Sequence, residues 1–141
     1  MLDQRMIEAI NKQINGELYS AYLYLAMAAY FDHANLKGFS NWMNVQVQEE
    51  LVHAKKFYDF LISANGKVVL TGIASPAVNW DSPVSVFEAT YQHESDVTKS
   101  IYQLFKLAND LNDYATVSLL KWFIDEQVEE ESNAKEILDK L

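Results

Sequence analysis

The chain has 141 residues, 50% of them apolar, enough for one domain with a sizeable core. A formal net charge of −9 argues against a nucleic-acid backbone as the main partner, because phosphate binding needs clustered Lys and Arg, and it suits cations instead. The lack of cysteine excludes disulfide frameworks and thiolate metal sites and fits a cytoplasmic protein, while four Gly and two Pro leave few turns and favour long helices over a many-stranded sheet.

The N-terminus shows no signal-peptide pattern. Asp3 is an N-cap for a first helix whose seam reads Ile7, Ile10, Ile14, Glu17, Ala21, Tyr24, Ala28 and Phe31, ending around Asp32 to Asn35. Within it the longest nearly apolar run, Leu18 to Phe31, is too short and too mixed to span a membrane. The second helix reads Phe39, Met43, Gln46, Glu50, His53, Phe57, Phe60 and Ala64, with Asn65-Gly66 as its stop. From Gly66 to Ser82 there is no helical period. Ser82 then caps a third helix with Pro83 at its first position, on a seam of Phe87, Thr90, Glu94, Val97, Ile101, Leu104, Ala108 and Leu111. After a turn at Asn109 to Asp113, the fourth seam runs Thr116, Leu120, Phe123, Gln127, Glu130, Ala134, Ile137 and Leu141.

Short links make the first two helices one antiparallel hairpin and the last two another. The middle connection is different. A helix of roughly 28 residues is about 42 Å long, and a connection of some 16 residues reaches about 50 Å when extended. It is therefore long enough to run the length of a bundle. The expectation is an all-α, antiparallel four-helix bundle with one long crossover between the second and third helices, forming a single domain over residues 1–141.

The polar exceptions in the seams fall near mid-helix, so Glu17, Glu50, His53, Glu94, Gln127 and Glu130 are expected to converge. Glu50 and His53, three apart, stack on one helical face. Glu-x-x-His alone is also the pattern of a surface pair, and a lone His is usually a satisfied core residue. Four carboxylates without a Lys or Arg in any seam weigh against that here. Burying them costs several kcal/mol per ion, so either some are protonated or a cation belongs among them. Two divalent ions would balance the charge, and one imidazole among oxygen ligands suits iron or manganese, with zinc as a competitor.

Tyr24 lies one heptad beyond Glu17 on the same face, where its hydroxyl either holds a carboxylate, donates an electron or is simply satisfied in the core. Trp122, beside Phe123, reads as packing. The run Asp125-Glu126-Gln127-Val128-Glu129-Glu130-Glu131 is either a solvated face or, with Glu49, an outer cation station in which Glu126 and Glu129 take part.

At this point the residues carry a family resemblance along essentially the whole chain. Asn15-Gly16-Glu17, Glu49-Glu50-x-x-His53, Asn79-Trp80-Asp81 and Gln127-x-x-Glu130 together resemble a bacterial or archaeal non-haem ferritin. The resemblance implies a ferroxidase centre with two iron ions in each subunit. Glu17, Glu50 and His53 would hold the first iron, and a bridging Glu50 with Glu94 and Glu130 the second. Gln127 would sit beside the pair, and Tyr24 would be the tyrosine of the centre. Glu49, Glu126, Glu129 and Glu130 match a third iron site of such proteins.

The implied reaction is oxidation of Fe(II) to Fe(III) by dioxygen or peroxide, followed by storage as a ferric oxide-hydroxide mineral inside a 24-subunit homo-oligomeric cage. No haem, nucleic acid or membrane partner is implied. A bacterioferritin would carry Glu-x-x-His on the fourth helix, where this chain has Gln127 and Glu130, and a haem-binding methionine near Val52. A rubrerythrin would need cysteines. Typical members continue into a fifth helix lining the fourfold channel, whereas this sequence stops at Leu141, a departure that touches the cage and not the site. The reading from a different class is a non-catalytic helical bundle that binds a divalent metal or a partner.

Overall fold

A computed structural model describes residues 2–141 as four helices, α1 (Gln4–His33), α2 (Lys37–Ser63), α3 (Pro83–Asp110) and α4 (Tyr114–Lys140), with no strand among the described residues. They form two compact units, the first ending at Trp80 and the second running Asp81–Leu141. No helix among the described residues is long and apolar enough to cross a membrane.

In the first unit, the Asp3 carboxylate accepts the Arg5 backbone N–H at 2.8 Å and so satisfies one of the unpaired donors at the start of α1. The buried stripe of α1 is wider than one seam. Beside the expected row, of which Ile7 is only half-buried, it includes Met6, Gln13, Ser20 and Met27, seven residues apart, as befits a helix covered over a broad arc. The turn to α2 closes with Asn35 in the left-handed region at φ 60° and the Leu36 N–H donated to the Phe31 carbonyl at 2.9 Å.

Along α2 the seam drifts. Met43, Gln46, Glu50, His53 and Phe57 are buried as expected, but Phe39, Phe60 and Ala64 are only half-buried, and Leu61 takes the core position at the far end. A 3.5-residue seam slips by about 20° per heptad on a straight helix, enough over three heptads to hand burial to the next residue. At the stop, Asn65 adopts φ 63°, and the Gly66 N–H bonds the Leu61 carbonyl at 2.7 Å. Gly66 is there for space. A Cβ would lie 3.0 Å from Leu61 Cδ2 and 3.4 Å from Ile7 Cγ1, which also shows that the end of α2 lies beside the beginning of α1.

The aperiodic connection returns along α1. Asn11 accepts the Val69 N–H at 2.8 Å and donates to the Lys67 carbonyl at 2.9 Å, serving the strand-like segment as a neighbouring strand would. One turn on, Asn15 Nδ2 reaches Thr71 Oγ1 and the Gly72 carbonyl, both at 3.0 Å. At the other end Trp80 meets Tyr30 edge-on, with ring centroids 5.8 Å apart. From Asn11 to Tyr30 the helix rises about 28 Å, so the connection spans most of α1 and delivers the chain to the opposite end of the hairpin.

In the second unit Ser82 Oγ accepts the Ser85 N–H at 3.2 Å, and Pro83 opens α3 as expected. The α3 seam is buried from Phe87 to Ala108, while Leu111 is half-buried at the turn. Asn112 is left-handed at φ 53°, and Asp113 caps α4 by accepting the Thr116 N–H at 3.1 Å. The α4 seam is buried from Thr116 to Ala134, then fades. Ile137 is half-buried, and Leu141, expected in the seam, follows the last helical residue and is 46% exposed.

Candidate metal centre

The i, i+3 spacing on α2 brings Glu50 and His53 to one inward face, and α1 presents Glu17 to them from across the hairpin. His53 Nδ1 lies 3.3 Å from Glu50 Oε2 and 3.8 Å from Glu17 Oε2. One donor atom from each of the three lies within 4.8 Å of the others, the separation at which one ion can meet all three. All are 1–3% exposed.

Gln13, one turn before Glu17, donates its amide to Glu17 Oε1 at 3.0 Å, while Glu17 Oε2 receives no hydrogen bond. A buried carboxylate oxygen normally has a donor, so this atom has the character of a metal-ligand atom. Burial pushes the Glu17 carboxyl up. The His53 and Glu50 side chains, the charge of His53 and the Gln13 amide outweigh it and hold the carboxyl below its ordinary value of 4.5.

The second hairpin has its own buried polar group at mid-helix. Glu94, Gln127 and Glu130 are 2–3% exposed, and Gln127 and Glu130 share one face of α4. The Gln127 Nε2 group reaches both the backbone carbonyl and carboxylate Oε2 of Glu94 at 3.2 Å. It also donates to Thr98 Oγ1 at 3.1 Å, and Thr98 lies 2.6 Å from Glu131 Oε2. Among the described residues no Lys or Arg is buried, so neither hairpin supplies a permanent side-chain cation to its acids. A set of carboxylates with one imidazole is an oxygen-rich site for a first-row divalent ion such as iron, manganese or zinc.

Tyr24 is fully buried on the face of α1 that carries Glu17. Glu49 and Glu126 are half-buried and Glu129 is exposed, as an outer station requires and as a solvated face would also have it. Trp122 packs edge-on against Phe123 at 4.9 Å, in keeping with a packing role. The seams did not reveal Gln13, Thr98 or Glu131 as supports of the acids. Gln13 and Thr98 each stand four residues from a buried glutamate, and that spacing is the signal that could have found them.

A family profile described as the ferritin-like domain matches residues 7–141. The bacterial non-heme ferritin of Staphylococcus saprophyticus is 41% identical over all 141 residues, which span 84% of that relative. Among solved structures, the open pore ferritin from the hyperthermophilic archaeon Archaeoglobus fulgidus superimposes with a TM-score of 0.99 at 51% identity, covering 99% of this chain and 86% of that one. A closed form of the A. fulgidus protein, engineered by site-directed mutagenesis, gives a TM-score of 0.99 at 52% identity, covering 100% and 86%. The all-α, ferritin-like four-helix fold expected from the sequence is thus the fold the chain has.

Proposed function

This chain belongs to the ferritin-like family, and on that premise we propose that it oxidises Fe(II) to Fe(III) and stores the product as a ferric oxide-hydroxide mineral. Glu17, Glu50 and His53 bind the first Fe(II). Glu50 bridges to a second, held with Glu94 and Glu130, and Gln127 stands beside the pair. Glu49, Glu126, Glu129 and Glu130 hold a third iron. The observation that carries this reading is the buried Glu17–Glu50–His53 triad, with a Glu17 oxygen that no protein donor satisfies.

The residues do three things for the reaction. Glu17, Glu50, Glu94 and Glu130 neutralise the charge of two Fe(II) ions, so both are held close enough to share one oxidant. His53 adds a neutral nitrogen donor, its Nδ1 lying 3.3 Å from Glu50 and 3.8 Å from Glu17. The carboxylates also favour Fe(III) over Fe(II), because the higher charge gains more from them. Each Fe(II) gives one electron. Dioxygen takes two electrons and two protons and leaves as hydrogen peroxide, whereas a peroxide oxidant is cleaved to two hydroxides. Hydrolysis of the Fe(III) releases protons as the mineral forms. Tyr24, buried on the Glu17 face of α1, would hold a carboxylate by hydrogen bond or donate an electron.

Anaerobic loading of the metal-free protein with two Fe(II) per chain, followed by oxygen, should give a fast rise in near-ultraviolet absorbance. Glu17→Ala and His53→Ala should each slow that rise by more than the roughly 10–100-fold that follows loss of an outer-shell partner. An unchanged fast phase in both would sink the assignment. The cytoplasmic, homo-oligomeric cage belongs to the same reading, supported by the likeness to the open-pore and closed-form ferritins. Light scattering at the mass of one or two chains would remove storage in a cage and leave the oxidation chemistry.

A further inference from the structure

We propose that Thr98, with Glu131 behind it, is a positioning residue that fixes the amide of Gln127 and, through it, the carboxylate of Glu94. The inference rests on the assignment of Glu94 to the second metal.

Thr98 Oγ1 lies 2.6 Å from Glu131 Oε2, 3.0 Å from the Glu94 carbonyl and 3.1 Å from Gln127 Nε2. A hydroxyl has one proton and two acceptor lone pairs. The Glu131 contact is the shortest of the three and charge-assisted, with a length typical of O–H···O⁻, so it takes the proton. Oγ1 then faces Gln127 as an acceptor. The other two atoms around the same end of the Gln127 amide, the Glu94 carbonyl and Glu94 Oε2, are acceptors as well. Three acceptors around one end require the NH2 group there, whichever way an amide would otherwise be assigned.

With its NH2 held at Thr98, Gln127 presents an N–H to Glu94 Oε2 in a buried setting. That bond holds the Glu94 carboxylate in one rotamer, leaving Oε1 and the remaining lone pair of Oε2 to a cation. Glu131 is half-buried and Thr98 is 8% exposed, so the arrangement runs from the edge of the hairpin to the buried acid. Its members come from α3 and α4 alone: Glu94, Thr98, Gln127 and Glu131 lie on inward or flanking faces one turn apart on their own helices.

Thr98→Val keeps the shape of the side chain and removes both the acceptor and the donor. The whole metal-free chain, titrated anaerobically with Co(II) alone, gives the affinity of each equivalent by calorimetry and its coordination by visible absorption. Wild type should bind two Co(II) per chain at the buried carboxylates, apart from any ion held by the outer acids Glu49, Glu126 and Glu129. In Thr98→Val the second should bind about tenfold more weakly, the usual cost of losing an outer-shell partner, with an altered visible band. The first, on Glu17, Glu50 and His53, should keep its affinity, which also reports a folded protein. Thr98→Ser should restore the second. Equal second-site affinity and spectrum in Thr98→Val would overturn the inference. So would equal weakening of both sites without rescue by Ser, which would make Thr98 a packing residue. A wild-type chain that binds one Co(II) only would instead remove the two-metal reading and the inference with it.

Discussion

Gln13 shows how an uncharged side chain adds to what His53 and Glu50 do for a buried acid. Gln13 is 7% exposed and donates to Glu17 Oε1 at 3.0 Å, so after the larger effects of His53 and Glu50 it favours the ionised form of a carboxyl that burial pushes up. Because the folded-state value of Glu17 is depressed, its contribution to stability is present above the ordinary value of 4.5 and is lost as pH falls through the folded value. Gln13→Leu should therefore destabilise the metal-free protein by about 1.5–3 kcal/mol near neutral pH, the usual worth of a hydrogen bond to a charged group. The deficit should shrink on acidification below 4.5. Thermal unfolding of both proteins across that range tests it, and a pH-independent deficit would assign Gln13 to packing. Spacing alone placed Glu17, Glu50, His53, Glu94, Gln127 and Glu130 at buried positions, because a charged residue in an apolar seam is conspicuous. Gln13 and Thr98 stayed hidden because neutral polar residues beside a seam resemble its solvated edge. Only the direction of their hydrogen bonds distinguishes them.

Helix ends here depend on asparagine. Asn35, Asn65 and Asn112 all take left-handed backbone at φ 60°, 63° and 53°, where glycine is the usual choice. Counting Gly and Pro therefore pointed rightly to long helices but underestimated how the turns are made. Only Asn65-Gly66 announced itself, although Gly66 supplies room and Asn65 supplies the conformation. Asn112→Ala should cost about 1 kcal/mol, since a Cβ without the local hydrogen bonding of Asn pays the left-handed penalty. That lowers the melting temperature by a few degrees. Asn112→Gly should hold or raise it, and the pair of melting curves separates backbone conformation from any side-chain role. The heptad drift along α2 explains why Leu61 takes the core position expected of Phe60. Seam positions near Glu50 are right, and those three turns away are off by one.

For the molecule as a whole, the buried acids should make stability depend on cation binding. Among the described residues neither hairpin has a buried Lys or Arg, so divalent metal that binds only the folded state should raise the melting temperature of the metal-free protein. Free metal at about 100 times its Kd corresponds to about 2.7 kcal/mol. Zn(II), which cannot be oxidised, isolates binding from chemistry. No rise with Zn(II) would mean that the acids are satisfied by protons. Helix order, loop lengths and the reach of the crossover were all legible, because they depend on periodicity and on chain length. The path of the crossover was not, because an aperiodic segment is placed by its partners, and Asn15 read as part of a motif when its side chain in fact holds Thr71 and Gly72.

That attachment also bears on kinetics. Asn11 and Asn15 reach across 56–58 residues of chain, whereas the two helices of each hairpin are joined by short turns. Contacts of long sequence separation carry a larger closure cost and form late. Interactions that form after the transition state slow unfolding and leave folding unaffected. Asn11→Ala should therefore speed unfolding and leave the refolding limb of the chevron in place, so that the strap sets how long the native first unit lasts and the helices set how fast it arises.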